Sequence, residues 1–276
     1  MAINDISLTS GMRSNLISLQ GTVNLLNRTQ ERLSSGKKVN SALDNPTAFF
    51  AAQGLSGRAS DLAGLKDGMG QGIQAIKAAD NGIKAISTLI DAAKGIAQSA
   101  LATTDATALS LLGVQYSNLM VQLDTVVSDS NYVGTNLLNG SSDLVVNFNE
   151  DNSSSMTVSS VASKSADLLI DTATVTMTSA STASDINATI TALNTAKDTL
   201  RTTSASLSAG LSVIQTRQTF TGDMINALST GADSLVNADM NEEGANMLML
   251  QTRQSLGTTA LSLSSQAAQS VLRLFG

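Results

Sequence analysis

The sequence predicts a mainly α fold: a long-helix, coiled-coil-like bundle drawn from both chain ends, with a small β-hairpin insertion between them. Three observations carry this expectation. Apolar residues recur in steps of three and four along five separate stretches, the spacing that keeps them on one helix stripe. The 276 residues include a single proline, Pro46, and only 3% aromatics. A core must then rest on Leu, Ile, Val, Met and Ala, a palette suited to helix–helix packing, and helices meet almost no proline interruption. Finally, a Ser/Thr-rich stretch from about 141 to 184 breaks the helical pattern with short apolar runs.

The first stripe is Met12, Leu16, Leu19, Val23, Leu26 and Leu33, with Gln30 in its one polar slot. Ser34-Ser35-Gly36-Lys37-Lys38 supplies the glycine and basic groups expected where a helix ends. Asn45 reads as the next N-cap and Pro46 as a first helical residue. The second stripe runs Leu62, Leu65, Met69, Ile73, Ile76, Ile83, Ile86, Ile90, and the third Leu109, Leu112, Tyr116, Leu119, Leu123, Val126. A break follows from Asn131 to Asn139-Gly140, since Asn-Gly favours the positive φ of tight turns.

Within the Ser/Thr-rich stretch, Leu144–Phe148, Met156–Val158 and Thr174–Met177 read as strands, with Asn149–Asn152 as a hairpin tip. The fourth stripe is Ile186, Ile190, Leu193, Leu200, Leu207, Leu211, Ile214, Ile225, Leu228, with Lys197, Ser204, Gln218 and Thr221 at intermediate seam positions. The last is Met249, Leu256, Ala260, Leu263, Ala267, Val271, Leu274. No single stripe buries itself, so stripes before and after the insertion must meet.

Composition excludes several function classes. Without cysteine or histidine there is no disulfide framework, zinc finger, Ser–His or Cys nucleophile system, or haem ligation. A net charge of −6 with scattered basic residues argues against nucleic acid as a partner. No stretch approaches the roughly 18 consecutive apolar residues of a membrane span. Met1–Asp5 shows no basic leader, so the chain is expected to stay in the cytoplasm or leave by a route without a cleaved signal peptide.

Gly64, Gly68 and Gly72, with Gly70 between, lack the Gly-Lys-Ser/Thr ending and preceding strand of a phosphate loop; small residues four apart predict close helix approach. Glu150 and Asp151 lack calcium-loop spacing and read as a solvated turn. Glu242 and Glu243 point about 100° apart on a helix, which suits its first turn better than acid/base catalysis. Met240, Met247 and Met249 read as core filling. No constellation performs catalysis, and no cofactor is expected. One charge relation stands out. Arg28, Arg32, Lys37 and Lys38 end the first helical stretch, and Asp239, Glu242 and Glu243 begin the last. Antiparallel pairing would bring these groups together; the alternative is that each set complements its own helix dipole.

Glu31-Arg32-Leu33-Ser34-Ser35-Gly36-Lys37-Lys38-Val39-Asn40-Ser41-Ala42-Leu43-Asp44-Asn45 resembles the N-terminal signature of bacterial flagellins. Asn246-Met247, Gln251, Gly257-Thr258, Leu261, Gln266, Gln269, Val271-Leu272 and Leu274-Phe275 are similar to the family's C-terminal pattern. Ser265, where the family often has Asn, and the terminal Gly276 are departures. The resemblance implies a self-assembling subunit of the filament used for swimming. Its N- and C-terminal arms (1–40 and 236–276) would pair as inner-core helices. An outer-core helical region (41–235) would carry the β insertion at about 141–184, which is short of a separate outer domain.

On that reading the assembly interface comprises Met12, Leu16, Leu19, Val23, Leu26, Leu33, Met249, Leu256, Leu263, Val271 and Leu274. Expected partners are further copies of the chain, filament cap and hook-junction proteins, the flagellar export apparatus and a C-terminus-binding chaperone. The expected location is the extracellular flagellum. Terminal helices that are marginal alone would order on burial against neighbouring subunits. The stretch Ile90–Ala97 corresponds to the arginine-rich segment of flagellins detected by Toll-like receptor 5, yet holds no arginine, which implies weak or no recognition. The Ser/Thr-rich insertion offers O-glycan acceptors and equally fits a plain soluble loop. The competing readings are a hook–filament junction protein, which shares the terminal helices, and a soluble signalling bundle, against which the β insertion and the breaks at Gly36 and Gly140 count.

Overall fold

The computed structural model describes residues 10–171, 178 and 180–275, with 271, 272, 274 and 275 described by their backbone alone. Among the described residues, five helices and one hairpin follow in order: α1 (Ser10–Ser35), α2 (Pro46–Leu101), α3 (Ala106–Asp129), β1 (Leu144–Asn147), β2 (Ser155–Val158), α4 (Ala183–Val236) and α5 (Met240–Phe275). The mainly α class with a two-stranded insertion is the fold the sequence predicts. The expected strand Thr174–Met177 lies outside the described residues. No described helix is long and apolar enough to cross a membrane.

The helix boundaries follow from local chemistry. Asn45 Oδ1 accepts from the Ala48 amide at 3.1 Å, capping α2 ahead of Pro46. Asp105 caps α3 through the Thr107 amide. Thr182 and Asp185 form a reciprocal box at the start of α4, with the Thr182 amide donating to Asp185 Oδ2 at 2.8 Å. Gly36, at φ +71°, ends α1 in the left-handed conformation a Cβ disfavours.

The chain divides into two compact units, Met1–Gly57 with Leu228–Gly276, and Arg58–Ala227. In the second, the stripe of α2 from Leu62 to Ile90 faces α3 and α4, and Met69, Ile76, Ile86 and Ile90 are fully buried with Tyr116, Leu123, Leu193, Leu200 and Ile214. Each such side chain contributes roughly 1.5–3 kcal/mol of transfer free energy. The buried line of α3 is Leu109, Tyr116, Met120, Leu123 and Val127, while Leu112, Leu119 and Val126 are half-buried. A straight helix with 3.6 residues per turn drifts off a strict heptad line, which spreads burial over adjacent positions.

Three of the polar slots in the α4 seam bond across to α2, Gln218 Nε2 donating to the Lys66 carbonyl at 3.4 Å. Lys197 Nζ meets both Asp91 oxygens at 2.5 and 2.7 Å, and Ser204 donates to Asp80 at 2.8 Å, with Lys84 on the other oxygen of Asp80. These contacts run opposite ways along the two helices and fix an antiparallel register.

The hairpin pairs Leu144 with Val158 through Asn147 with Ser155. It is seated on glycines: a Cβ at Gly72 would lie 2.9 Å from Val146, and one at Gly210 3.3 Å from Met156. This corrects the expected role of the spaced glycines. Gly64 and Gly68 face open space, Gly70 lies near Gln218, and Gly72 admits the hairpin. The tip is tied down on both sides, by Arg217 lying 5.2 Å over the Phe148 ring and by an Arg58–Glu150 ion pair at 2.9 Å.

Candidate assembly interface

In the first unit α1 and α5 pack against each other. Arg32 meets Glu243, and Leu19 lies beside Gly257, so the pairing is antiparallel. From α1 the face toward the partner is Met12, Leu16, Leu19, Val23, Leu26, Thr29 and Leu33, all buried or half-buried. The seam passes through Thr29, 7% exposed, while Gln30 points outward. The α1 stripe thus has a partner within the chain.

The face of α5 differs from the apolar stripe visible in its sequence. One line of buried or half-buried positions runs Glu243, Met247, Leu250, Gln254, Gly257, Leu261, Ser264 and Ala268 in alternating steps of four and three, with Gly244, Asn246 and Ser265 half-buried beside it. Met249, Leu256 and Leu263 lie on another face, at 46%, 64% and 67% exposure, with Ala260 and Ala267 also exposed. The heptad phase inferred for this helix is therefore corrected. Hydrophobic periodicity selects the most apolar line, and here the line facing α1 carries Glu, Gln, Gly and Ser. Gly257 is the informative position, because a Cβ there would sit 3.0 Å from Leu19 Cδ1. Met240 is 47% exposed, so of the three methionines read as core filling only Met247 is half-buried. The side chains of Val271 and Leu274 lie outside the described residues.

The charge groups separate into distinct roles. Arg32 Nη1 donates to Glu243 Oε1 at 2.8 Å, with side-chain exposures of 34% and 9%. Asp239 instead caps its own helix, accepting from the Asn241 amide at 2.9 Å. Lys38 Nζ donates to the Ser234 carbonyl in the last turn of α4 at 2.9 Å, complementing that helix end. Arg28 acts on Asp44: the Ser41 and Asn40 amides, foremost, and the more distant Arg28 charge hold this carboxyl below its ordinary range. Glu242 and Lys37 are exposed.

Sequence reasoning missed how the two linkers meet. The Lys38 and Val39 amides both donate to the Val236 carbonyl, at 2.7 and 3.2 Å, and the Ala238 amide donates to the Gly36 carbonyl at 2.9 Å. Lys37 and Asn237 pair as an antiparallel bridge. Nothing in the composition of either linker signals this, because backbone pairing uses groups every residue carries. The loop that follows, from Asn40 to Asn45, presents Leu43 at 96% exposure. Among the described residues no cluster of acidic side chains has metal-binding geometry.

Residues 3–143 match the family profile of the bacterial flagellin N-terminal helical region. Flagellin FljK of Caulobacter vibrioides is 31% identical over 280 aligned residues that cover the whole of both chains. A flagellin of Brucella melitensis is 29% identical, covering 94% of this chain and 95% of its own. A solved Bacillus cereus flagellin aligns at a TM-score of 0.48 and 19% identity, over 56% of this chain and 88% of that one. A family profile spanning the N-terminal half and a full-length relative agree: the chain belongs to the bacterial flagellin family, the structural subunits of the flagellar filament.

Proposed function

We propose that this subunit polymerises through the outward face of its paired terminal helices, forming a filament that drives swimming. The observation that carries the reading is the Met249–Leu256–Leu263 stripe. It is exposed along a helix whose other face is already occupied by α1. Ile17 and Leu25 add exposed apolar surface on α1, at 68% and 48%. Single exposed leucines need no explanation, whereas a stripe repeating every seven residues suits a neighbouring helix. Residues 1–40 and 236–276 then serve as inner arms, and 41–235 as the outer-core region. Charging the stripe tests this. Leu256→Glu with Leu263→Glu should abolish filaments in electron micrographs of seeded protein while leaving monomer helicity unchanged. Normal filaments from that variant would refute the assignment.

The other expected partners follow from the same family reading. The chain would be exported without a cleaved signal peptide, with the cap, the hook-junction proteins and a C-terminal chaperone as its contacts. No enzymatic role is proposed. Recognition by Toll-like receptor 5 is expected to be weak. The charged groups of the relevant stretch, Asp91 and Lys94, are engaged with Lys197 and Asn194 of α4, and no guanidinium is present. Strong receptor signalling at low protein concentration would overturn this.

A further inference from the structure

The segment between α3 and β1 holds an Asn139–Gly140 step with unusual constraints on its two residues. Gly140 sits at φ +73°, and a Cβ there would come within 2.8 Å of the Ala162 Cβ and 3.1 Å of the Ala162 Cα. The fold therefore requires glycine after Asn139, both for its conformation and for the approach of the 160–163 backbone. Asn139 is exposed. An exposed asparagine followed by glycine is the pair most prone to intramolecular deamidation, because no side chain hinders attack by the following amide nitrogen.

That nitrogen is held. The Gly140 amide donates to Ser160 Oγ at 2.8 Å, and the same hydroxyl donates onward to the Asn136 carbonyl at 3.3 Å. The Ser160 amide is fixed in turn by Asp143 Oδ1 at 2.8 Å. Flanking bonds from the Val161 amide to the Leu137 carbonyl and from the Ser163 amide to the Leu138 carbonyl, at 2.9 and 3.0 Å, clamp the turn against 160–163.

We infer that Asn139 is a deamidation site latched by the Ser160 hydroxyl, silent while the 137–140 turn stays docked and active when it opens. In the open turn the Gly140 nitrogen bonds to the Asn139 side-chain carbonyl carbon and loses its proton. The carbon's bond to the amide nitrogen breaks, and ammonia leaves. Water then opens the resulting succinimide to aspartate or isoaspartate. The product carries one more negative charge than the −6 of the starting chain. The isoaspartate form also adds a backbone atom, which breaks the register with 160–163 and makes the opening permanent.

The full-length protein, incubated in mildly alkaline buffer and mapped by peptide mass spectrometry, tests this. Folded wild type should convert slowly at Asn139, and the urea-unfolded chain rapidly. Ser160→Ala should speed the folded reaction roughly 2- to 10-fold, the factor expected for one lost hydrogen bond, and leave the unfolded rate unchanged. Ser160→Thr, which keeps the acceptor, should hold the wild-type rate. Asn81–Gly82, inside α2, gauges global unfolding. If Ser160→Ala accelerates Asn81 as well, the Ser160→Thr rate decides, and a threonine variant faster than wild type overturns the proposal. Equal folded rates for wild type and Ser160→Ala also overturn it, as does folded wild type converting as fast as the unfolded chain.

Discussion

The Arg32–Glu243 pair joins residues 211 positions apart, and its removal has a calculable consequence. Glu243 is nearly sequestered, with its side chain 9% exposed, whereas Arg32 keeps a third of its surface in water. A fully exposed pair contributes about 0.2–1 kcal/mol, and a hydrogen bond to a charged group about 1.5–3 kcal/mol. The mixed exposure places the coupling between them, at roughly 1–2 kcal/mol, or about a 5- to 30-fold change in the opening equilibrium of the α1–α5 pair. Arg32→Gln should cost more than the double variant with Glu243→Gln, because it leaves a nearly sequestered carboxylate without its counter-charge. Glu242→Gln, one residue away but exposed, should fall within about ±0.5 kcal/mol. Amide exchange along α1 and α5 in dilute monomer reads these differences directly. Single-variant effects that sum to the double within about 0.3 kcal/mol would refute the coupling, as would a Glu242 effect equal to that of Glu243.

Further outcomes follow from other sites. Val133 and Gly134 form a two-residue turn between Tyr132 and Thr135 with φ of +49° and +84°, and Val133 is 85% exposed. A β-branched residue at positive φ costs about 1–2 kcal/mol, so Val133→Asn should raise stability by about 1 kcal/mol in urea unfolding, and no gain would refute the strain. Gly72→Ala should lower stability by about 1–3 kcal/mol by pushing Val146 off α2, and an unchanged midpoint would show that the hairpin shifts freely. Asp44 accepts from the Ser41 and Asn40 amides, which hold its carboxyl below its ordinary pKa in the folded chain. Its anchoring is complete above that ordinary value and is lost as pH falls through the lowered one. The protection of the Asn40 and Ser41 amides, measured against their intrinsic exchange rates, should therefore fall in acid, and Asp44→Asn should abolish that pH dependence; protection persisting in strong acid would contradict this.

Much of the fold was legible because helix-forming stripes are local and their punctuation is chemical. Asn45-Pro46, Gly36 and the Ile-rich line of α2 each act on their own few residues. The hairpin was legible for the same reason, since alternation and a polar tip suffice. What sequence did not disclose is which partner a stripe selects. The strongest apolar line of α5 is its exposed one, and the line facing α1 interrupts Met247, Leu250 and Leu261 with a glycine contact and an ion-paired glutamate. Gly72 posed a related problem: spacing flagged a small-residue face but could not distinguish a helix from a hairpin as the neighbour. Asp239 and Lys38 carried the charges expected of cross-helix partners, yet nearer backbone groups claimed them first.

The antiparallel pairing of α1 with α5 also sets an order of events. Arg32 and Glu243, at one end of that pair, are already 211 positions apart in a chain of 276 residues, so its contacts have high contact order. Loop-closure entropy grows slowly with length, but closure requires both ends to be present. During synthesis, or passage through any pore that admits one end first, the leading arm has no mate until the final residues arrive. On the proposed assembly reading, the subunit completes its polymerising surface last. A chain cut before α5 forms no α1–α5 pair at all, so one deletion removes the contacts of both helices at once.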